Sequence, residues 1–247
     1  MTFKVVIPAR YASTRLQGKP LLDIAGKPMV VRVAEQAAKS GASEIIIATD
    51  FEKIMQAAAA HNINAVMTNI NHASGTDRIA EVAQKLGWSD DEIVVNVQGD
   101  EPLIDPILIK EVALHLANSK DAVMATACHA IHDEASLLNP NIVKVVLDAN
   151  GSALYFSRAP IPYPRDDVFK QNIQAQRHIG IYAYRVGFLK KYAELSVTEL
   201  EKIESLEQLR VLHHGYKIGV TITKNAPASG VDTQEDLDFV RSVFKDE

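Results

Sequence analysis

Five short runs of aliphatic and β-branched residues punctuate the first half of the chain: FKVVIP at 3 to 8, EIIIAT at 44 to 49, AVMT at 65 to 68, IVVNV at 93 to 97 and AVMATA at 122 to 127. Most of these runs are apolar without a polar alternate, so each strand must be covered on both faces. The segments between them carry helical patterns: KPMVVRVAEQAAKS, with Pro28 near its start and Gly41 just past its end, FEKIMQAAAA, with Asp50 as the expected cap, and TDRIAEVAQKL. Strands that alternate with helices and need cover on both sides imply a doubly wound α/β fold around a mostly parallel sheet. Ligands of such sheets bind beyond the carboxyl ends of the strands, so the loops there are where chemistry is sought.

The second half changes character. IVKVVLD and ALYFS flank the turn sequence Asp148-Ala149-Asn150-Gly151 and read as a hairpin. A Pro-rich polar loop from Ala159 through about Arg177 leads into the alternating strand HIGIYAYR. Helical patterns follow at VGFLKKYAEL and TELEKIESLEQLRVLHH, then a strand at KIGVTIT, a turn from Pro227 to Gly230, and a last helix whose start is marked by Thr233-x-x-Asp236.

Composition narrows the function. A net charge of -5 argues against a nucleic-acid or anionic-membrane binder, which carries a basic excess. The single cysteine, Cys128, excludes an internal disulfide and fits a reducing compartment; its apolar neighbours make it a small core residue. No apolar run reaches membrane-spanning length and the N-terminus enters a strand directly, so a cytoplasmic protein without membrane insertion is expected.

The loop after the first strand, ARYASTRLQGKPL, places Arg10, Arg15 and Lys19 among small residues, an arrangement suited to a polyphosphate. It is no Walker loop, since Ser13 occupies a glycine position and Pro20 follows Gly18-Lys19, and it lacks the Rossmann G-x-G-x-x-G. The strand IVVNV runs into Gln98-Gly99-Asp100-Glu101-Pro102, where Asp100 is the first candidate ligand for Mg²⁺; Glu101 reads equally as a solvent-facing neighbour. A second carboxylate is available at Asp232 in Gly230-Val231-Asp232-Thr233, although the local sequence alone fits a plain helix-start residue as well. The pairs His129/His132 and His213/His214 lack a third zinc-like ligand, and no G-x-S-x-G elbow is present, so a zinc site and a covalent intermediate are not expected.

The stretches VVIPARYASTRLQGKPL, ASGTDR, VNVQGDEP, NPNIVKVVLD, LYFSRAPIP, RHIGIYAYR, LEQLRVL and GVDTQEDL together resemble the bacterial 3-deoxy-manno-octulosonate (Kdo) cytidylyltransferases over nearly the whole chain. One departure is Gln17, where that family usually has proline, a change that loosens the loop without removing a charge. The resemblance implies a homodimer that joins CMP from CTP to Kdo for lipopolysaccharide assembly, with Mg²⁺ as cofactor. It implies that Arg10, Arg15 and Lys19 hold the triphosphate, that Ser74, Gly75 and Gln98 contact cytidine, that Asp100 and Asp232 bind the metal, with Lys19 joining them as a catalytic group, and that Arg158, His178, Tyr182, Glu207 and Gln208 recognise the sugar. From the residues alone, Arg158 could instead pair with Asp166 or Asp167, and Glu207-Gln208 could be a solvated helix face. The expected organisation is a single domain over 1–247, with a nucleotide-binding core at 1–130 and 215–247 and a sugar-binding and dimerisation region at about 131–214. Rival readings are a cytidylyltransferase for 8-amino-Kdo or a sialic acid, and a non-catalytic nucleotide-binding regulator.

Overall fold

A computed structural model of the chain describes residues 2–11, 16–72, 74–166, 174–224, 226–228 and 230–245. The strands in chain order are β1 (Lys4–Ala9), β2 (Asp23–Ile24), β3 (Lys27–Pro28), β4 (Glu44–Thr49), β5 (Asn64–Met67), β6 (Ile93–Asn96), β7 (Ala122–Ile131), β8 (Lys144–Leu147), β9 (Ala153–Ser157), β10 (Ala175–Arg185) and β11 (Lys217–Ile222). The helices between the first strands are α1 (Met29–Ala38), α2 (Glu52–Ala60), α3 (Gly75–Lys85) and α4 (Pro106–Asn118).

Among the described residues, nine strands form one sheet, in which β11, β7, β10, β6, β1, β4 and β5 lie side by side and β8 and β9 join through β10. β6, β1, β4 and β5 pair in parallel, as do β11 and β7. β10 runs against all three of its neighbours, β6, β7 and β8. The fold is therefore the mixed, mostly parallel α/β sheet that the strand pattern implies.

Two apolar layers explain the unbroken strands. Val5 and Ile7 of β1 pack with Val30 of α1 and Ile109 of α4 on one face, while Val6 packs with Ile79 and Val82 of α3 on the other; all are sealed from solvent. Both sides of β1 thus meet helices, which is why its run carries no polar alternate.

The local signals are kept in part. α1 begins directly after Pro28, and Gly41 takes a φ of +81° in the turn beyond. Asp105 caps α4 by accepting from the Ile107 N–H at 2.8 Å. In the hairpin of β8 and β9, the Asp148 carboxylate accepts from the N–H groups of Asn150 and Ser152, each at 2.8 Å. Two expectations fail. Asp50 does not cap α2, whose N-cap is Phe51; its carboxylate meets the Arg78 guanidinium at 2.7 Å instead, in a buried ion pair that ties the end of β4 to α3. A guanidinium taken out of water needs a charged partner, and that requirement outweighs a cap. The pattern TELEKIESLEQLRVLHH is not one helix but two, Glu199–Glu204 and Gln208–His213, interrupted by Ser205 at a φ of +52°.

Cys128 is buried, and burial pushes its thiol up to about 12, as suits an inert core residue. No group of three His, Cys, Asp or Glu that could hold a metal occurs among the described residues, and no helix there is long and apolar enough to cross a membrane.

Candidate active site

Three turns converge beyond the carboxyl ends of β1 and β6. Gly99 lies so close to β1 that a Cβ there would stand 2.8 Å from the Pro8 carbonyl oxygen, which is why this position takes no side chain. The Val231 N–H donates to the Asp100 carbonyl at 2.8 Å, binding the turn after β6 to the turn before the C-terminal helix Gln234–Lys245. Asp236 accepts from the N–H groups of Asp232 and Thr233 at 2.9 and 2.8 Å, and the Thr233 hydroxyl accepts in return from the Asp236 N–H at 3.2 Å. The Thr-x-x-Asp spacing is a capping box, and it fixes the backbone on which Asp232 is carried.

Lys19 arrives from the other side. Gly18, at a φ of +66°, opens the single 3-10 turn Lys19–Leu21. The Lys19 ammonium lies 2.6 Å from Asp100 and 3.1 Å from Asp232, so residues far apart in the chain form one charged cluster. Glu101 is turned inward: burial, and then the Asp100 charge, push its carboxyl up to about 7.

A cavity of 370 Å³ opens at Gln98, two residues before Asp100. It is lined by Arg10, Ser74, Gly75 and Gln98 from the expected nucleotide set, and by His178, Tyr182, Glu207 and Gln208 from the expected sugar set. Ser74 is also the N-cap of α3, its hydroxyl accepting from the Asp77 N–H at 3.1 Å and donating to the Asp77 carboxylate at 2.9 Å, so the positive end of that helix faces the cavity. Burial pushes the Tyr182 and Tyr184 hydroxyls and the Glu207 carboxyl upward.

The wall of β10 is shaped by a bulge. His178 stands opposite Cys128 of β7, Ile179 opposite Ala127, and Tyr182 opposite Thr126, so Gly180 and Ile181 are extra on β10. Four residues of regular strand would separate His178 and Tyr182 by about 13 Å. The bulge makes them same-face neighbours, with ring centroids 5.4 Å apart.

A second cavity of 390 Å³ shares His178 with the first and is bounded by Glu101, Arg177, His129 and Asp232. Arg158 lines neither cavity. Its Nε donates to the Glu204 carbonyl at 2.7 Å and its Nη1 to the Pro140 carbonyl at 3.0 Å. No ion pair with Asp166 occurs among the described residues; Asp167 and Arg15 lie outside them.

Sequence reasoning missed Asn96, Thr76 and Tyr184, which also line the first cavity. Asn96 Oδ1 and Gln208 Nε2 are buried without a hydrogen-bond partner among the described residues, an arrangement that favours a ligand able to supply one. The signal for Asn96 was available: it is the one amide in IVVNV, at the end of a strand otherwise apolar. Thr76, which donates to Glu207 at 3.3 Å, gave no such signal inside its helix.

Known proteins resemble this chain in sequence and in fold. The cytidylyltransferase family profile matches residues 4–218. Two proteins of Neisseria gonorrhoeae, from strains NCCP11945 and ATCC 700825 / FA 1090 and both named 3-deoxy-manno-octulosonate cytidylyltransferase, are 61% identical over 249 residues, covering 98% of this chain and 98% of theirs. A solved CMP:2-keto-3-deoxy-manno-octonic acid synthetase complexed with CTP superposes with a TM-score of 0.92 at 42% identity, over 100% of this chain and 99% of that one. A cytidylyltransferase from Leptospira borgpetersenii serovar Hardjo-bovis (strain JB197), 17% identical, shares the fold with a TM-score of 0.64 over 100% of this chain and 88% of its own. With two near-full-length relatives, a matching family profile and the same fold, the chain belongs to the cytidylyltransferase family, among the 3-deoxy-manno-octulosonate cytidylyltransferases.

Proposed function

We propose that this chain transfers CMP from CTP to the anomeric hydroxyl of Kdo and releases pyrophosphate. The observation that carries the reading is the meeting of Lys19, Asp100 and Asp232, the last of which bounds a polar cavity, in a chain 61% identical to named Kdo cytidylyltransferases. In the reaction the sugar hydroxyl oxygen bonds to the α-phosphorus in line with the departing pyrophosphate oxygen, so the residues act by positioning and by charge. Arg10, Arg15 and Lys19 meet the triphosphate. Ser74, Gly75 and Gln98 meet the cytidine, and the unpaired Asn96 and Gln208 atoms supply further polar contacts in the same cavity. His178, Tyr182 and Glu207 face the sugar acid.

The donor set fits a magnesium ion. Two carboxylates converging on one point, without a third ligand among the described residues, suit a hard cation that completes its shell with water and phosphate oxygens. Asp100 and Asp232 would hold it, and it would supply charge against the polyphosphate and acidify the attacking hydroxyl. A homodimer belongs to the same reading; the exposed side chains of Leu200 and Ile203, one turn apart on a short helix, offer apolar area for it. Pyrophosphate release from CTP with a panel of Kdo, 8-amino-Kdo and a sialic acid tests the assignment. Turnover with Kdo well above the others supports it, and release with none of them would overturn it.

A further inference from the structure

Thr126, in the middle of β7, is fully buried. Its Oγ1 lies 2.9 Å from His178 Nε2, 2.7 Å from the Ile181 carbonyl oxygen and 3.1 Å from that of Ile179. A hydroxyl has one hydrogen, and carbonyl oxygens only accept. That hydrogen therefore lies on the carbonyl side, and only lone pairs of Oγ1 remain for the imidazole. A nitrogen 2.9 Å from a lone pair must carry a proton, so Nε2 is the donor. The opposite tautomer would draw the threonine hydrogen toward the ring and leave two bare oxygens facing each other at 2.7 Å.

His178 packs at the edge of Phe156, with ring centroids 5.0 Å apart, and beside Tyr182. Burial holds its pKa down to about 3, so the ring is neutral and Nδ1 has a free lone pair. No hydrogen bond engages Nδ1 among the described residues, and the ring lines both cavities. The same threonine hydroxyl closes the bulge by donating to Ile181, which sets the spacing of His178 and Tyr182.

We propose that Thr126 is a positioning residue that holds His178 as the Nε2–H tautomer, so that Nδ1 accepts a hydrogen bond from a hydroxyl of the sugar acid. The sugar part of this proposal rests on the function proposed above. Thr126 itself need not touch substrate. With this nitrogen given to the sugar acid, the effect falls on that substrate.

The test combines a spectrum with kinetics. Nitrogen-15 spectra of the free protein, with the His178 signals assigned by their loss in His178→Gln, should show Nε2 protonated and Nδ1 bare. Thr126→Val, close in shape but without the hydroxyl, should shift the ring toward a mixture of tautomers, raise KM for Kdo about tenfold and leave KM for CTP within about twofold. Thr126→Ser should restore both readouts. An Nδ1–H tautomer in the wild type, an unchanged KM for Kdo in Thr126→Val, or an equal rise in both KM values with early melting and no rescue by serine would each overturn the proposal. If the wild type activates no sugar acid, the function proposed above falls, and the spectrum alone then decides whether Thr126 sets the ring.

Discussion

The ammonium of Lys19 stands 2.6 Å from the carboxylate of Asp100, and the same ammonium reaches Asp232 at 3.1 Å. One cation thus offsets two acids carried on turns that a backbone hydrogen bond has already joined. Asp100→Asn keeps the shape and removes the charge. Turnover should fall about a hundredfold while the melting temperature stays near that of the wild type. Asp232→Asn should behave alike. Near-normal rates for either variant across a magnesium titration would remove that residue from the proposed metal site.

Asn96 holds a buried acceptor without a partner among the described residues, which costs the free protein about 1 to 3 kcal/mol. Asn96→Val removes that group from a strand position where valine is favoured. The variant should melt no earlier than the wild type, yet lose at least about tenfold in kcat/KM. Full activity in calorimetrically sound protein would show that the amide serves neither the substrates nor the fold.

Gly99→Ala forces a Cβ to within 2.8 Å of the Pro8 carbonyl oxygen, a backbone atom that cannot swing away. The expected cost is about 1 to 3 kcal/mol, accompanied by a loss of turnover because Gln98 and Asp100 flank the displaced residue. Denaturant midpoints and rates measured on the same preparation check both parts.

Arg158 holds the Glu204 and Pro140 carbonyls. Glu204 in turn accepts from the Ser157 hydroxyl at 2.6 Å and immediately precedes residues 205–208 of the cavity wall. Arg158→Ala should therefore melt earlier and lose efficiency toward both substrates, and lysine should rescue little, because one ammonium cannot reproduce a two-armed grip. A rise in KM for Kdo alone, with unchanged melting, would instead put the guanidinium on the sugar carboxylate.

His178 has a folded-state pKa depressed to about 3, against about 6.5 in the unfolded chain. Between those values the unfolded chain binds a proton that the folded one does not, so stability falls as pH drops from about 6.5 toward 3, by up to about 1.4 kcal/mol per pH unit for this group. His178→Gln should flatten the acid limb of the stability curve. An identical slope in both proteins would mean that His178 takes up its proton without unfolding.

The sequence makes the central strands legible because burial on both faces leaves no room for polar alternates, as Val5, Val6 and Ile7 show. Asp100 is legible for a related reason: an acid at the end of such a strand stands where loops and ligands meet. What stays hidden depends on partners far away in the chain. Asp50 looks like a cap until Arg78 claims it. Ser205 breaks a helix whose apolar spacing continues through the break. The bulge that brings His178 to Tyr182 is written in the pairing with β7, which no local pattern encodes. Arg158 carries the right chemistry for a sugar acid, but its direction is set by two carbonyls, one of them more than forty residues away.

The place of β10 has a consequence for how the molecule is made. The two strands it joins, β6 and β7, end at Asn96 and Ile131, whereas β10 itself begins at Ala175. As the chain leaves the ribosome, the inner edges of β6 and β7 must wait for a strand not yet synthesised, and these open edges can pair with another nascent chain. A fragment ending before residue 175 should aggregate for that reason. The strand that closes the gap also brings His178 and Tyr182, so one wall of the cavity and the join between β6 and β7 arise in a single step, before Glu207, Gln208 and β11 are made.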